Sequence, residues 1–447
     1  SSMFPSLQNR RREVHGLVAI IRGPQCSCSR TITRGSPIGL DITGGPMSIT
    51  ETPAINLLDP NFYVDPWNSY AWLRANDPVH WDPVHRIWGV SRYADIVAVE
   101  KNTGLYTSID GSRPATDQRD DTSMINRDDP DHQQQRMLVA RQFTPRAVRQ
   151  IEDQLRSLVN ELIDGVIDAG SCEAIESLAS PLPAIVIGDK LGFPRELWPK
   201  LREWSEITMY ESGQNPPDGS PAPFSERSTN AIMEFAGTVM ELIEQRRAKP
   251  ENDLISIWAN TEVDGRRWTE GEIISECILL LDGGAETTRT VIGSIIRELA
   301  LDDTQRQLLA QQPQILADTA VEEFIRWVTP ILNMRRTVTR DHEFHGRELH
   351  AGDEVLLMYG AANRDESMFE NPDVFDVTRS HNHHVAFGFG THFCLGASLA
   401  RLEIRVMFEE LLRRIPDWRL VPGTEPRVLG ATFTRAYDAV HIEFDRA

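Results

Sequence analysis

Cysteine is scarce in this sequence, 5 in 447 residues, so neither a disulfide scaffold nor a thiolate-rich metal cluster is on offer. Long apolar runs are missing too. No stretch approaches the ~18 consecutive apolar residues that cross a bilayer. The run Leu17 to Ile21 behind Arg10, Arg11 and Arg12 is too short for a secretory core and lacks a small-residue cleavage site. Positive charge is also short: 46 Lys and Arg face 66 Asp and Glu, a net charge of −20. That balance repels nucleic-acid backbones and anionic leaflets alike. The expectation is therefore a cytoplasmic globular protein with no nucleic-acid partner and no stable membrane insertion. A hydrophobic fraction of 40% supplies a core with room for a cavity.

Residues 1–46 carry six Arg against one Asp and one Glu, a charge sign opposite to the rest, and end at Gly44, Gly45 and Pro46. They read as an N-terminal extension, with Met47 to Ala447 as a single domain. Cys26 and Cys28 fall in the extension, while Cys172 and Cys277 sit in apolar helical patterns as core side chains.

Helical spacing runs over Asn68 to Arg74 and Tyr93 to Lys101, and Val79 to Trp81 and Ile87 to Val90 read as strands. Leu105 to Arg127 is a polar excursion suited to covering a site. Helices fill Pro145 to Arg247, broken by the proline-rich Gly213 to Pro223, a candidate movable lid. Thr269 and Glu272 form a capping box that opens a segment to about Leu299, some 45 Å long and apolar enough to be central. A helix over Gln314 to Val328, short strands from Arg336 to Tyr359 and a helix from Gly396 to Pro416 complete the reading. The fold class is mainly α with small β-sheets.

The segment Phe387-Gly388-Phe389-Gly390-Thr391-His392-Phe393-Cys394-Leu395-Gly396 is the most informative. Glycines around one cysteine before a helix let backbone amides approach its sulfur, and those amides with the helix N-terminus favour a thiolate. His381, His383, His384 and His392 leave a mixed His/Cys zinc site open, as does a buried inert cysteine. Mid-helix, Gly283-Gly284 cost about 2 kcal/mol in propensity; close approach of a flat ligand or a local widening of the helix supplies a reason. Glu323 and Arg326 share a helix face at i,i+3.

The cysteine segment resembles the haem-binding signature of the cytochrome P450 family, present in full from Phe387 to Gly396. The resemblance implies the cytochrome P450 fold and heme b, with Cys394 as proximal thiolate ligand to the iron. It places Phe387, Gly388 and Gly396 around the sulfur and His392 at a propionate. It implies a buried Glu323-x-x-Arg326 pair tied to Asn371 to Arg379, and further propionate contacts from His132, Arg136 and Arg336. Gly283-Gly284-Ala285-Glu286-Thr287-Thr288 resembles the family's oxygen-activation motif, with Gly283 against the haem, Thr287 holding dioxygen and water, and Glu286 relaying protons.

The implied activity is that of a haem-thiolate monooxygenase. Stretches from about residue 57 to 445 resemble actinobacterial members that oxidise the terminal side-chain methyl of cholesterol or cholest-4-en-3-one. Hydroxylation of methyl-branched fatty acids or terpenoids is the alternative, with a non-catalytic haem-based binder behind it. Asp282 departs from the sterol group. Met209, Ile331, Leu332, Met334 and Phe433 are the expected pocket. No flavin, nicotinamide or iron-sulfur motif is present, so the implied partners are a ferredoxin and its reductase drawing on NAD(P)H. The basic candidates for steering the ferredoxin are Arg136, Arg141, Arg146, Arg149, Arg401, Arg405, Arg413 and Arg414, and the protein is expected to act as a monomer.

Overall fold

Thr269 accepts the Glu272 N–H at 3.2 Å while the Glu272 carboxylate accepts the Thr269 N–H at 2.8 Å. This reciprocal cap satisfies donors that a helix start leaves free, and it opens the long helix Glu270–Leu301. Ile273, Ile274, Cys277, Leu281, Val291, Ile292, Ile295 and Ile296 are all buried, on more than one face, so the helix runs through the core. Pro181–Leu191, Trp198–Glu206 and Ala397–Arg414 pack around it.

The computed structural model describes residues 53–445 other than 115, 117, 119–120, 212–224 and 264. The chain divides into Ser1–Ala54 and Ile55–Ala447. The expected extension with Cys26 and Cys28, and the loop Gly213 to Pro223, lie outside the described residues.

A five-stranded sheet takes the order Val79–Asp82, Ile87–Val90, Glu354–Met358, Asn333–Val338, Tyr106–Thr107. Only the Ile87–Val90 and Glu354–Met358 pair is parallel. Val355 faces Arg336 in the antiparallel register, which fixes the position of that arginine. The helix Val321–Val328 precedes this sheet strand and turns its Glu323 and Arg326 wholly inward.

Two expectations change. Cys172 lies in the strand Ser171–Glu173, paired with His441–Glu443, and is only half-buried; Cys277 is in the core. Leu332 packs in the core with Leu57, Tyr63, Tyr70 and Met358, in space left by Gly360, where a Cβ would come within 2.8 Å of Leu332 Cδ2. Among the described residues no helix is long and apolar enough to cross a membrane.

Candidate active site around the cysteine loop

The cysteine loop is held by its own backbone. Cys394 N donates to Phe387 O at 2.9 Å, while Gly388 and Gly390 adopt φ of 69° and 71°, a region that strains any other residue. A Cβ on Gly390 would also lie 2.9 Å from the Glu100 carbonyl oxygen. The Gly396 and Ala397 N–H groups reach the Cys394 sulfur, and the charges of Arg136 and Arg401 act on it, yet burial outweighs them and pushes the thiol up. The amides therefore act in the expected direction, toward the thiolate, against the burial. The half-buried sulfur is a donor whose ionisation a cation in contact with it would favour. Arg401 lies over the Phe387 ring, 4.5 Å from its centroid, and pairs with Glu322 at 2.6 Å.

Beside the loop, side chains from three segments converge. The rings of His132 and His392 lie 4.2 Å apart. His132 Nδ1 sits 3.0 Å from Asp129 Oδ1, and Arg136 Nη2 donates to Phe393 O at 2.6 Å. Burial, together with the charges of Arg336 and His132, pulls His392 down to about 3, so it stays neutral. Donors outnumber acids here, which is chemistry suited to carboxylate groups.

Glu100, which sequence reasoning missed, organises this edge. Its carboxylate accepts from Tyr359 Oη and from Arg336 Nη2 at 3.4 Å, and it also takes the Phe389 N–H of the cysteine loop. Nothing local marks a glutamate at the end of an apolar helix for that role. Arg335 serves elsewhere, bonding Asp110 O, Gly111 O and Glu354 and so pinning the root of the covering excursion to the sheet.

The central helix is unbroken across Gly283 and Gly284, so widening is not the reason for these glycines. They differ. A Cβ on Gly284 would meet Ile187 at 2.9 Å, whereas one on Gly283 would meet nothing within 4 Å. Gly283 is exposed, in the middle of a core helix, and so borders an internal space. One turn on, Thr287 Oγ1 donates to Gly283 O at 2.7 Å.

Glu286 is buried and bound to Arg289 Nη1 at 2.6 Å; burial raises it, against the pull of Arg289. Glu403, also unforeseen, is a buried acid hydrogen-bonded to Thr288 and raised to about 8 by burial. Of the residues expected to line a pocket, Ile331, Met334 and Phe433 are half-buried, while Met209 is buried.

These residues fit a flat, dianionic cofactor. Gly283 leaves space for a planar group, Cys394 offers a soft sulfur donor, and His132, His392, Arg136 and Arg336 offer carboxylate partners. Among the described residues no cluster of His, Cys, Asp and Glu is arranged for a metal ion, and His384 is engaged with Glu322 at 3.1 Å, so the mixed zinc alternative has no support. The basic candidates divide. Arg401, Arg405, Arg413 and Arg414 pair with carboxylates. Arg141, Arg146 and Arg149 are exposed and make no ion pair among the described residues.

Residues 205–429 match the sequence profile of Cytochrome P450. The chain is 40% identical over 377 residues to a steroid C26-monooxygenase of Mycobacterium tuberculosis, covering 83% of this chain and 92% of that protein. It is 36% identical to a methyl-branched lipid omega-hydroxylase of Mycobacterium bovis, over 82% of this chain and 88% of the other. Among solved structures, a Bacillus megaterium cytochrome P450 in complex with testosterone superimposes with a TM-score of 0.78 at 31% identity, covering 86% of this chain and 99% of that one.

Proposed function

This chain belongs to the cytochrome P450 family and is a monooxygenase of that class, and we propose that it inserts one oxygen atom into the terminal side-chain methyl of a sterol such as cholesterol or cholest-4-en-3-one. Cys394 would hold the iron of heme b as its thiolate ligand; His132, Arg136, Arg336 and His392 would hold its propionates; Phe387, Gly388, Gly396 and Gly283 would line the cofactor site. When bound, the haem supplies dioxygen activation with electrons from a redox partner. We take that partner to be a ferredoxin, recharged by its reductase and guided by the exposed Arg141, Arg146 and Arg149.

The chain's own contributions follow from the geometry. The apolar side chains of Ile331, Met334 and Phe433 hold a hydrophobic substrate and exclude water. Thr287 holds a proton at Oγ1 on the open side of the central helix. Glu286, buried and balanced between desolvation and Arg289, takes up a proton at its carboxylate and gives it on.

One observation carries the reading: Gly283 borders open space while the adjoining helix face presents a hydroxyl. Substrate class rests on the likeness to the steroid C26-monooxygenase. The test is the reduced, carbon monoxide-bound difference spectrum with and without Cys394→Ser, followed by product analysis with cholest-4-en-3-one. An unchanged thiolate-type spectrum in the Ser variant overturns the ligand assignment, and absence of terminal hydroxylation overturns the substrate.

A further inference from the structure

Asp282 stands immediately before Gly283 and is 1% exposed, an acid on the flank of an otherwise apolar stretch of helix. Its Oδ2 accepts Arg113 Nη2 at 2.7 Å and its Oδ1 accepts Thr208 Oγ1 at 2.6 Å. Arg113 comes from the covering excursion, whose root is pinned by Arg335, and its guanidinium lies over the Phe433 ring at 5.1 Å. The Arg113 side chain keeps 20% exposure where that of Asp282 keeps 2%. Among the described residues Asp282 is the sole hydrogen-bond acceptor of that guanidinium, engaged through Nη2. A buried Asp–Arg pair costs desolvation that two apolar side chains would avoid. Packing alone gives no reason for it beside the half-buried Phe433 ring.

We propose that Arg113, held in place by Asp282, is a specificity-determining residue that receives an uncharged oxygen of the substrate, a ketone or hydroxyl, in preference to a carboxylate. This rests on the monooxygenase reading and deepens it. Charge balance decides the class of oxygen. Asp282 already neutralises Arg113, and one turn along the same flank Glu286 is neutralised by Arg289. An entering carboxylate finds no uncompensated cation and meets two carboxylates instead. A carbonyl or hydroxyl oxygen accepts a hydrogen bond from Arg113 and leaves no net charge behind. A site that offers buried donors discriminates against the analogue lacking the acceptor, because its own polar groups are then left unpaired.

The experiment titrates the holoprotein spectrally with two ligand series. One is cholest-4-en-3-one, its parent hydrocarbon cholest-4-ene and the 3-carboxylic acid; the other is a methyl-branched alcohol, its alkane and its fatty acid. The carbon monoxide spectrum of each preparation is recorded first and tests the haem-thiolate reading separately. The wild type is expected to bind the ketone or alcohol about 10-fold tighter than either the hydrocarbon or the acid. Arg113→Met is expected to bring the three within about 2-fold. Asp282→Asn, which frees the guanidinium charge, is expected to move preference toward the acid. The double variant Arg113→Met with Asp282→Asn leaves no unpaired buried charge, and is expected to keep the haem spectrum while lacking the preference.

Retention of the ketone or alcohol preference by either Met variant, or a wild-type preference for the acid, overturns the proposal; so does an equal loss of all ligands in every variant, the mark of a merely structural pair. If only the branched-chain series binds, the sterol reading fails and the proposal is judged on that series. Binding of neither series by haem-loaded protein overturns both.

Discussion

Arg326 grips both carboxylate oxygens of Glu323, Nε to Oε2 and Nη2 to Oε1, each at 2.8 Å, and neither side chain has any exposed surface. The guanidinium also donates to Asn363 O at 2.8 Å and Pro372 O at 2.9 Å, and Glu323 accepts from Asp376 N, Arg379 Nε and Asn382 Nδ2. The pair thereby ties one helix to the segment that leads into the cysteine loop. Removing one partner strands a charge in the core, so Arg326→Ala should lose ~3 to 5 kcal/mol and most of its haem. Denaturant unfolding with haem content as a second readout checks this; a loss below about 1 kcal/mol, the range of an exposed pair, would show the pair to be dispensable.

Much of this was legible because it is local. A capping box, a mid-helix glycine pair, an i,i+3 ion pair and glycines flanking a cysteine declare themselves within a few residues. What escaped is tertiary. Glu100 and Arg336 are 236 positions apart, and Asp282 gains meaning only from Arg113 and Thr208 on other segments. Leu332 is apolar in any reading, and its direction is set by the gap at Gly360. Strands of two or three residues, such as Arg419–Leu420 and Val428–Gly430, are too short to show a period.

Acid stability should depend on Glu322. Burial would raise this carboxyl, but hydrogen bonds from His384 and Arg401, with the Arg401 charge, hold it at about 2. A depressed folded value means that its stabilisation is present above the ordinary carboxylate range and is lost as pH falls toward 2. With 31% of the side chain exposed, solvent screening brings the contribution to about 2 kcal/mol, less than the shift alone implies. Glu322→Gln should be less stable than wild type at pH 6, with the gap narrowing by pH 3. A gap that does not change with pH would show that charge is not the cause.

Glu276 gives the opposite sign. It is buried in the central helix, with Oε1 accepting Met124 N at 2.9 Å and Oε2 unpartnered among the described residues, and burial raises it to about 8. The fold therefore favours the neutral acid, and that preference is complete below about pH 4.5 and is lost as pH climbs through 8. Glu276→Gln keeps an acceptor for Met124 and cannot ionise. Its melting temperature should gain on wild type between pH 5 and pH 9; parallel pH profiles for the two proteins would refute the assignment.

The Thr287 hydroxyl and the Glu286 carboxylate sit one residue apart, about 100° around the helix, the first toward open space and the second buried against Arg289. If Thr287 acts through the proton at Oγ1 rather than by filling space, the near-isosteric Thr287→Val should leave substrate binding within about 2-fold while product formed per NAD(P)H falls by about 10-fold or more, with reduced oxygen released as peroxide. Thr287→Ser, which restores a hydroxyl at the same position, should recover most of the coupling. Glu286→Gln removes the upstream acid and retains its shape, so turnover should slow and the solvent isotope effect should rise, with coupling less affected than in the Val variant. A Val variant that couples as well as wild type would place the proton supply elsewhere. Glu403, buried behind the same helix against Thr288, would then be the next acid to substitute.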